Sequence, residues 1–208
     1  DRSHHRRARG ERRLMLRMSP PLRITAPSEK PVALADVKAH CRIDHSDDDL
    51  LVGSYIDAAV AHADGWAGVL GRCLVTQTWR QTSWRWCPCV RLAFPDVTGL
   101  VITYIDTEGA TQTVDAAQYE LLADAVSSFV RFKPEFTAPA AAERGDAIRY
   151  TMTAGYGAAA DVPAAIKMAL FMLVAHWYNN REASSADRMA EMPFAVSSLL
   201  APYRRTGV

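Results

Sequence analysis

His40, Cys41, Asp44, His45 and the run Asp47-Asp48-Asp49 lie close together in the chain. These are the side-chain types from which divalent metal sites are built, and a metal held there would activate a water for hydrolysis. Their spacing matches no standard ligand set. Consecutive residues on a helix point about 100° apart, so three adjacent carboxylates do not converge on one ion. As first-turn acids they complement the positive end of a helix instead, and that is their expected role. Cys87-Pro88-Cys89 has the look of half a zinc knuckle. C-x-C is not the C-x-x-C spacing, and no second ligand pair follows, so two free thiols in a loop are expected and no metal.

Covalent chemistry fares no better. The sequence contains no G-x-S-x-G, G-K-[ST], H-E-x-x-H or G-x-G-x-x-G motif. Gly155-Tyr156-Gly157 lacks the third glycine of a phosphate cradle. His62 and His176 fall inside helical stretches, where a histidine satisfied at a packing interface is the expectation. Catalytic residues and cofactors are therefore expected to be absent, and the chain is not expected to be an enzyme. Trp79, Trp84 and Trp86 would suit a stacking platform for single-stranded DNA. Trp79 and Trp84, five residues apart, face opposite sides of a regular strand, which favours sheet core or subunit interface.

Charge leaves one further candidate. Residues 1–23 contain eight arginines (Arg2, Arg6, Arg7, Arg9, Arg12, Arg13, Arg17 and Arg23) against Asp1 and Glu11. The rest holds 16 Lys and Arg against 21 Asp and Glu, a net of −5 within an overall +1. A basic arm on an acidic body suits DNA or an acidic protein surface, through Coulomb attraction and counterion release, and it is equally the composition of a solvated tail. Four cysteines without a disulfide-type framework fit a reducing, cytoplasmic site of synthesis. No run of eighteen apolar residues and no secretory signal are seen, so no membrane partner is expected.

The elements that would position these residues can be read from periodicity. Ser19-Pro20-Pro21, Pro27 and Pro31 predict an extended arm over 18–31. A short helix is expected at Leu34–Cys41. Ser46 or Asp47 is expected to cap a long helix reaching about Leu70, with Leu51, Tyr55, Ile56, Ala59, Val60 and Ala63 on its apolar side and Gly65, Gly68 and Gly71 loosening its end. Period-two patterns then predict strands over Leu74–Ser83, Val90–Phe94, Leu100–Ile105, Thr111–Val114, Tyr119–Leu122, Phe129–Phe132 and Ile148–Ala154, in one small antiparallel sheet. Asp106-Thr107-Glu108-Gly109 is a hairpin turn. Asp161 and Pro163 open another helix whose apolar positions are Ile166, Leu170, Leu173, Val174 and Trp177, ended by Asn179 and Asn180. A polar linker, Glu182 to Arg188, and Met192-Pro193 lead to a last helix over Phe194–Leu200. The fold class is α+β. About four helices form a bundle domain (32–72 and 156–208), with an antiparallel β subdomain (73–155) inserted and a basic, then proline-rich arm (1–31) in front.

Leu34-Ala35-Asp36-Val37-Lys38-Ala39-His40-Cys41-Arg42-Ile43-Asp44 resembles the L-x-x-V/A-K-x-x-L-R-I/V-D opening of phage head–tail connector proteins. An acidic pair and a long helix with I-x-x-A follow there, as Asp47 to Leu51 and Ile56-Asp57-Ala58-Ala59 do here. Gly155-Tyr156-Gly157 with Asp161-Val162-Pro163-Ala164-Ala165-Ile166-Lys167, His176 to Glu182, and Leu199-Leu200-Ala201-Pro202-Tyr203-Arg204 resemble the family's later motifs, in the same order. The variety with a β insertion, found in siphophages and phage-derived gene transfer agents, is the most similar. Cys41 stands where a leucine is usual, which a free cysteine tolerates as a small hydrophobe. The Arg-rich arm is outside the pattern. The resemblance implies a homo-oligomeric ring, twelvefold as a rule, on the portal vertex of a virion or phage-like particle assembled in the host cytoplasm. Such a ring extends the DNA channel and docks the tail or stopper. It also implies a portal contact in the C-terminal segment, carried here by Phe194, Leu199, Leu200, Tyr203 and Arg204. The alternative is a DNA-binding module acting through Arg2 to Arg17.

Overall fold

Helix α1 covers Leu34–Cys41 and is stopped by Arg42, which adopts the left-handed conformation at φ 57°. The Arg42 and Ile43 amides donate to the carbonyls of Ala39 and Lys38, and Ile43 is buried beyond them. This closing turn satisfies carbonyls that a helix end otherwise leaves open, with the usual apolar contact just past it. The computed structural model to which these elements belong describes residues 18–124, 126–181 and 194–205. Arg2 to Arg17, the linker Glu182 to Arg188 and Met192-Pro193 lie outside the described residues.

The chain divides into two units. The helical unit contains Pro27–Thr76 and the described residues from Gly155 on. Besides α1 it holds α2 (Asp49–Ala63), α3 (Ala164–Asn179) and α4 (Phe194–Leu200). Val52, Ile56 and Ala59 of α2, Ile166, Leu170, Leu173 and Val174 of α3, and Val196 and Leu200 of α4 share one buried core with Val37 of α1. The three- and four-residue spacing of these positions puts each set on one helix face.

Three local expectations are corrected. Helix α2 ends at Ala63, not near Leu70. The chain turns back there: Asp64 bridges to Arg72, the Gly65 amide donates to the Arg72 carbonyl at 2.7 Å, and a Cβ at Gly68 would collide with the backbone of Ala63 and Asp64. The N-cap of α2 is Asp48, not Ser46 or Asp47, and its carboxylate makes no capping bond. Pro163 likewise stands at the N-cap of α3 and not in its first turn, while Asp161 Oδ2 accepts from the Ala158 amide at 2.9 Å in a preceding 3-10 turn.

The other unit comprises the described residues up to Ala26 and Gln77–Ala154. Its strands are β1 (Leu22–Thr25), β2 (Gln77–Ser83), β3 (Cys89–Arg91), β4 (Val97–Ile105), β5 (Thr111–Thr113), β6 (Tyr119–Ala123), β7 (Ser128–Phe132) and β8 (Ile148–Ala154). They form two antiparallel sheets instead of the single one expected, in the orders β1-β2-β8-β4-β5 and β3-β7-β6. The long central pair runs from Gln77 opposite Ala154 to Ser83 opposite Ile148. Part of the proline-rich arm is thus strand β1, with Leu22 opposite Arg80. Residues alternate between the buried and open faces of β2 and β8, as a half-buried strand requires. Tyr150 and Met152 on β8, Ile102 on β4, and Phe94, Leu92 and Val130 fill the space inside this unit.

Candidate functional site

The C-terminal segment marked for a portal contact is half built into its own unit. Leu200 is 1 % exposed, and Leu199 and Tyr203 pack partly against the helical core. Arg72 Nε donates to the Tyr203 carbonyl at 2.7 Å, and the Arg205 amide donates to the Leu70 carbonyl at 2.9 Å, which ties the segment to the turn after α2. Phe194 is 86 % exposed at the start of α4, and Arg204 is also exposed. Of the five residues, Phe194 and Arg204 therefore present side chains outward.

Of the three acids at the start of α2, Asp48 and Asp49 take different partners. Lys38 Nζ donates to Asp49 Oδ1. Tyr178 Oη donates to Asp48 Oδ2 at 2.6 Å, and Arg181 Nη2 reaches the same oxygen at 2.8 Å. The Arg181 guanidinium also lies 4.5 Å from the centre of the Tyr178 ring. His40, instead of facing an ion, stacks on Phe171 at 5.6 Å. Among the described residues no group of three or more His, Cys, Asp and Glu side chains is placed to hold a metal.

This Asp48 junction joins two segments 130 residues apart. Each segment is visible in the sequence as an acidic run and as Tyr178 to Arg181, but nothing local says that they meet. The Tyr178 hydroxyl and then the Arg181 guanidinium hold the Asp48 carboxyl below its ordinary value. A carboxyl with a depressed folded pKa contributes stability above the ordinary range and loses it as pH falls through the folded value. Acidification below about pH 3.9, the ordinary aspartate value, is therefore expected to lower the protection of amides around Asp48 and at the end of α3, measured against their intrinsic exchange rates at each pH. In Asp48→Asn, exchange there should be faster at neutral pH and lose this acid step. An unchanged acid step in the variant would assign it elsewhere. The carboxyls of Asp106, Asp124 and Asp146 are also depressed, each by hydrogen bonds within the β unit, so the local readout matters.

In the β unit, Trp79 is buried against Phe94 with ring centres 4.9 Å apart, whereas Trp84 is exposed. Trp86 lies beside Tyr104, Phe132 and Phe136, and its Nε1 donates to the Pro139 carbonyl at 2.9 Å. The three indoles thus do not form one platform. Trp86, Phe132 and Phe136 line a cleft of about 790 Å³ with Cys87, Cys89, Glu120, Arg131 and Lys133. The sequence reading missed this cleft, because its wall is assembled from two loops and three strands. Cys87 and Cys89 stand there in no disulfide, and Cys73 is buried. Gly155 and Gly157 form no phosphate cradle. The Gly157 carbonyl accepts from the Thr76 amide at 2.9 Å, and the Tyr156 amide donates to the Leu74 carbonyl at 3.2 Å, so the loop is zipped to residues 74–76. Among the described residues no helix is long and apolar enough to cross a membrane.

Comparison with known proteins agrees with this architecture. Residues 31–76 match the model of the phage gp6-like head-tail connector protein family. That span holds α1, Asp48 and α2. A chain in the structure of the neck of an empty GTA particle, computed with C6 symmetry, superposes with a TM-score of 0.73 at 24 % identity, covering 91 % of this chain and 97 % of that one. A chain of the virion of a native gene transfer agent particle gives the same values. One in the neck of a native GTA particle, computed with C12 symmetry, gives 0.70 at 23 % identity with the same coverage. No curated protein matches the chain. Over residues 31–76 this chain is similar in sequence to the phage gp6-like head-tail connector proteins, and its α+β fold is that of a chain in the gene transfer agent neck.

Proposed function

We propose that the chain is a structural head-tail connector, without catalytic activity, in the neck of a phage-like particle of the gene transfer agent type. The observation that carries this is the agreement of two separate likenesses. The connector family's sequence model falls on α1 and α2, and the whole fold, β unit included, corresponds to a chain of a neck. Assembly of copies into a ring is supported by the sixfold and twelvefold symmetry of those necks. The ring sits on the portal vertex at the head–tail interface, surrounds the passing DNA and offers the tail or stopper its platform. Phe194 and Arg204 make the outward part of the portal contact, while Leu199, Leu200 and Tyr203 hold their segment in place.

The test is the mass of the purified chain, alone and mixed with its portal, by light scattering after size exclusion. A ring-sized species or a stoichiometric portal complex is expected. A chain that stays single and ignores the portal would overturn the proposal. Phe194→Ala and Arg204→Ala should each weaken the portal complex about tenfold, or about 1.4 kcal/mol, as exposed aromatic and arginine anchors do. Neither should move the melting temperature, because neither side chain is buried. A stand-alone DNA-binding module acting through Arg2 to Arg17 would instead show salt-dependent DNA binding by a single chain. No observation on the described residues favours it.

A further inference from the structure

Among the described residues of the helical unit nothing calls for a glycine at position 53. Gly53 lies in the interior of α2, and a Cβ built there meets nothing within 4 Å. An interior glycine weakens a helix relative to alanine because more backbone freedom is lost on folding. Gly53 thus costs helix stability and gains no contact among the described residues. The same outward side of α2 carries Leu50, 90 % exposed, one turn before the glycine. Ser54 Oγ donates back to the Leu50 carbonyl at 3.0 Å, so its hydroxyl hydrogen is not offered outward. Ala58 and Ala61 continue the surface. The result is a face with a projecting leucine at one end, a notch beside it and Asp57 one turn further on.

Helices α2 and α3 meet through their buried faces, so their outward faces point away from each other. That of α3 carries Ala164 and Met168, the latter 43 % exposed. Methionine is an unbranched, adaptable side chain of the kind that fills a notch. Lys167 beside it and Asp57 beside Gly53 have opposite charges, although within the chain Asp57 pairs with Lys30 and Lys167 Nζ donates to the Ala160 carbonyl at 3.1 Å. A closed ring of identical chains needs two different, complementary faces on each copy. The helical unit has such a pair.

We propose that the outward face of α2, headed by Leu50 and notched at Gly53, receives the outward face of α3 from a second copy of this chain, with Met168 seated over Gly53. The proposal rests on the ring argued above. A side chain at position 53 would hold the two helices apart, which gives the glycine a purpose that a single chain does not.

The test sets folding against assembly. Gly53→Ala should raise the melting temperature of the single chain by a few degrees, roughly the effect of an improved helix in a domain of this size. Gly53→Leu should keep the wild-type circular dichroism spectrum and melting temperature, or raise the latter, and lose the ring or portal-bound ring at least tenfold. Combining Gly53→Cys with Met168→Cys should give a ladder of covalent oligomers on oxidation, which neither substitution alone gives above the background of the native thiols. A Gly53→Leu chain that assembles to wild-type mass would overturn the docking surface and leave the ring standing. So would a Gly53→Leu chain that melts below wild type, since the glycine would then serve its own fold, or a cysteine pair without a ladder where wild type is oligomeric. A wild-type chain that is single both alone and with its portal would remove the ring, and this surface with it.

Discussion

Leu200→Ala is expected to destabilise the helical unit by about 3 kcal/mol and to lower its melting temperature by roughly 10 °C or more. Leu200 is 1 % exposed in the core shared by α2, α3 and α4, so truncation removes transfer free energy and leaves a cavity that the surrounding helices fill only in part. Circular dichroism at 222 nm during a thermal or urea melt measures it. A loss below about 1 kcal/mol, the range of sites that collapse well or are loosely packed, would mean that α4 does not dock as described. The consequence for function is direct. Removing the C-terminal segment to locate a portal contact would unseat Val196 and Leu200 and confound binding with unfolding. Phe194 and Arg204, which face outward, can be changed without that effect.

Gly155→Ala should cost a similar amount, about 3 kcal/mol, by a different route. Gly155 has φ 139°, a region that side-chain-bearing residues rarely enter, and a Cβ there would lie 2.8 Å from the backbone of Val75 and Thr76. The backbone would have to retreat from the 74–76 segment and give up hydrogen bonds on both sides of Tyr156. Gly145→Ala is the control. A Cβ at Gly145 meets nothing within 4 Å, and its effect should stay within about 0.5 kcal/mol, as for most surface substitutions. Equal effects at the two positions, read from chemical denaturation, would show that Gly155 is not held by close approach.

Much of this was legible before any coordinates. Leu34–Cys41, Ile148–Ala154 and Phe194–Leu200 have the bounds that their apolar periods and flanking breakers indicate. The end of α2 was misplaced because Val69 and Leu70 extend the apolar pattern past Ala63, and only the fold shows that Leu70 is buried on the returning turn. Asp48 was expected to serve the helix end that follows it, since capping is a local interaction. A tyrosine and an arginine from the far end of α3 claim it instead. The aromatic triplet divided for a related reason: β2 ends at Ser83, and the strand alternation that orients Trp79 does not extend to Trp84 and Trp86.

The sequence by itself determined the order and type of the elements, the absence of known catalytic motifs and the resemblance to head–tail connectors. These depend on periodicity, turn chemistry and motif spacing, which act over a few residues. The tertiary structure alone decided that the strands divide into two sheets, that β1 joins the arm to the first of them, that Asp48 meets Tyr178 and Arg181, and which C-terminal side chains remain outward. Those outcomes turn on which apolar faces bury one another and which backbone edges pair across long loops. Side-chain period marks a face for burial without naming the face it will meet.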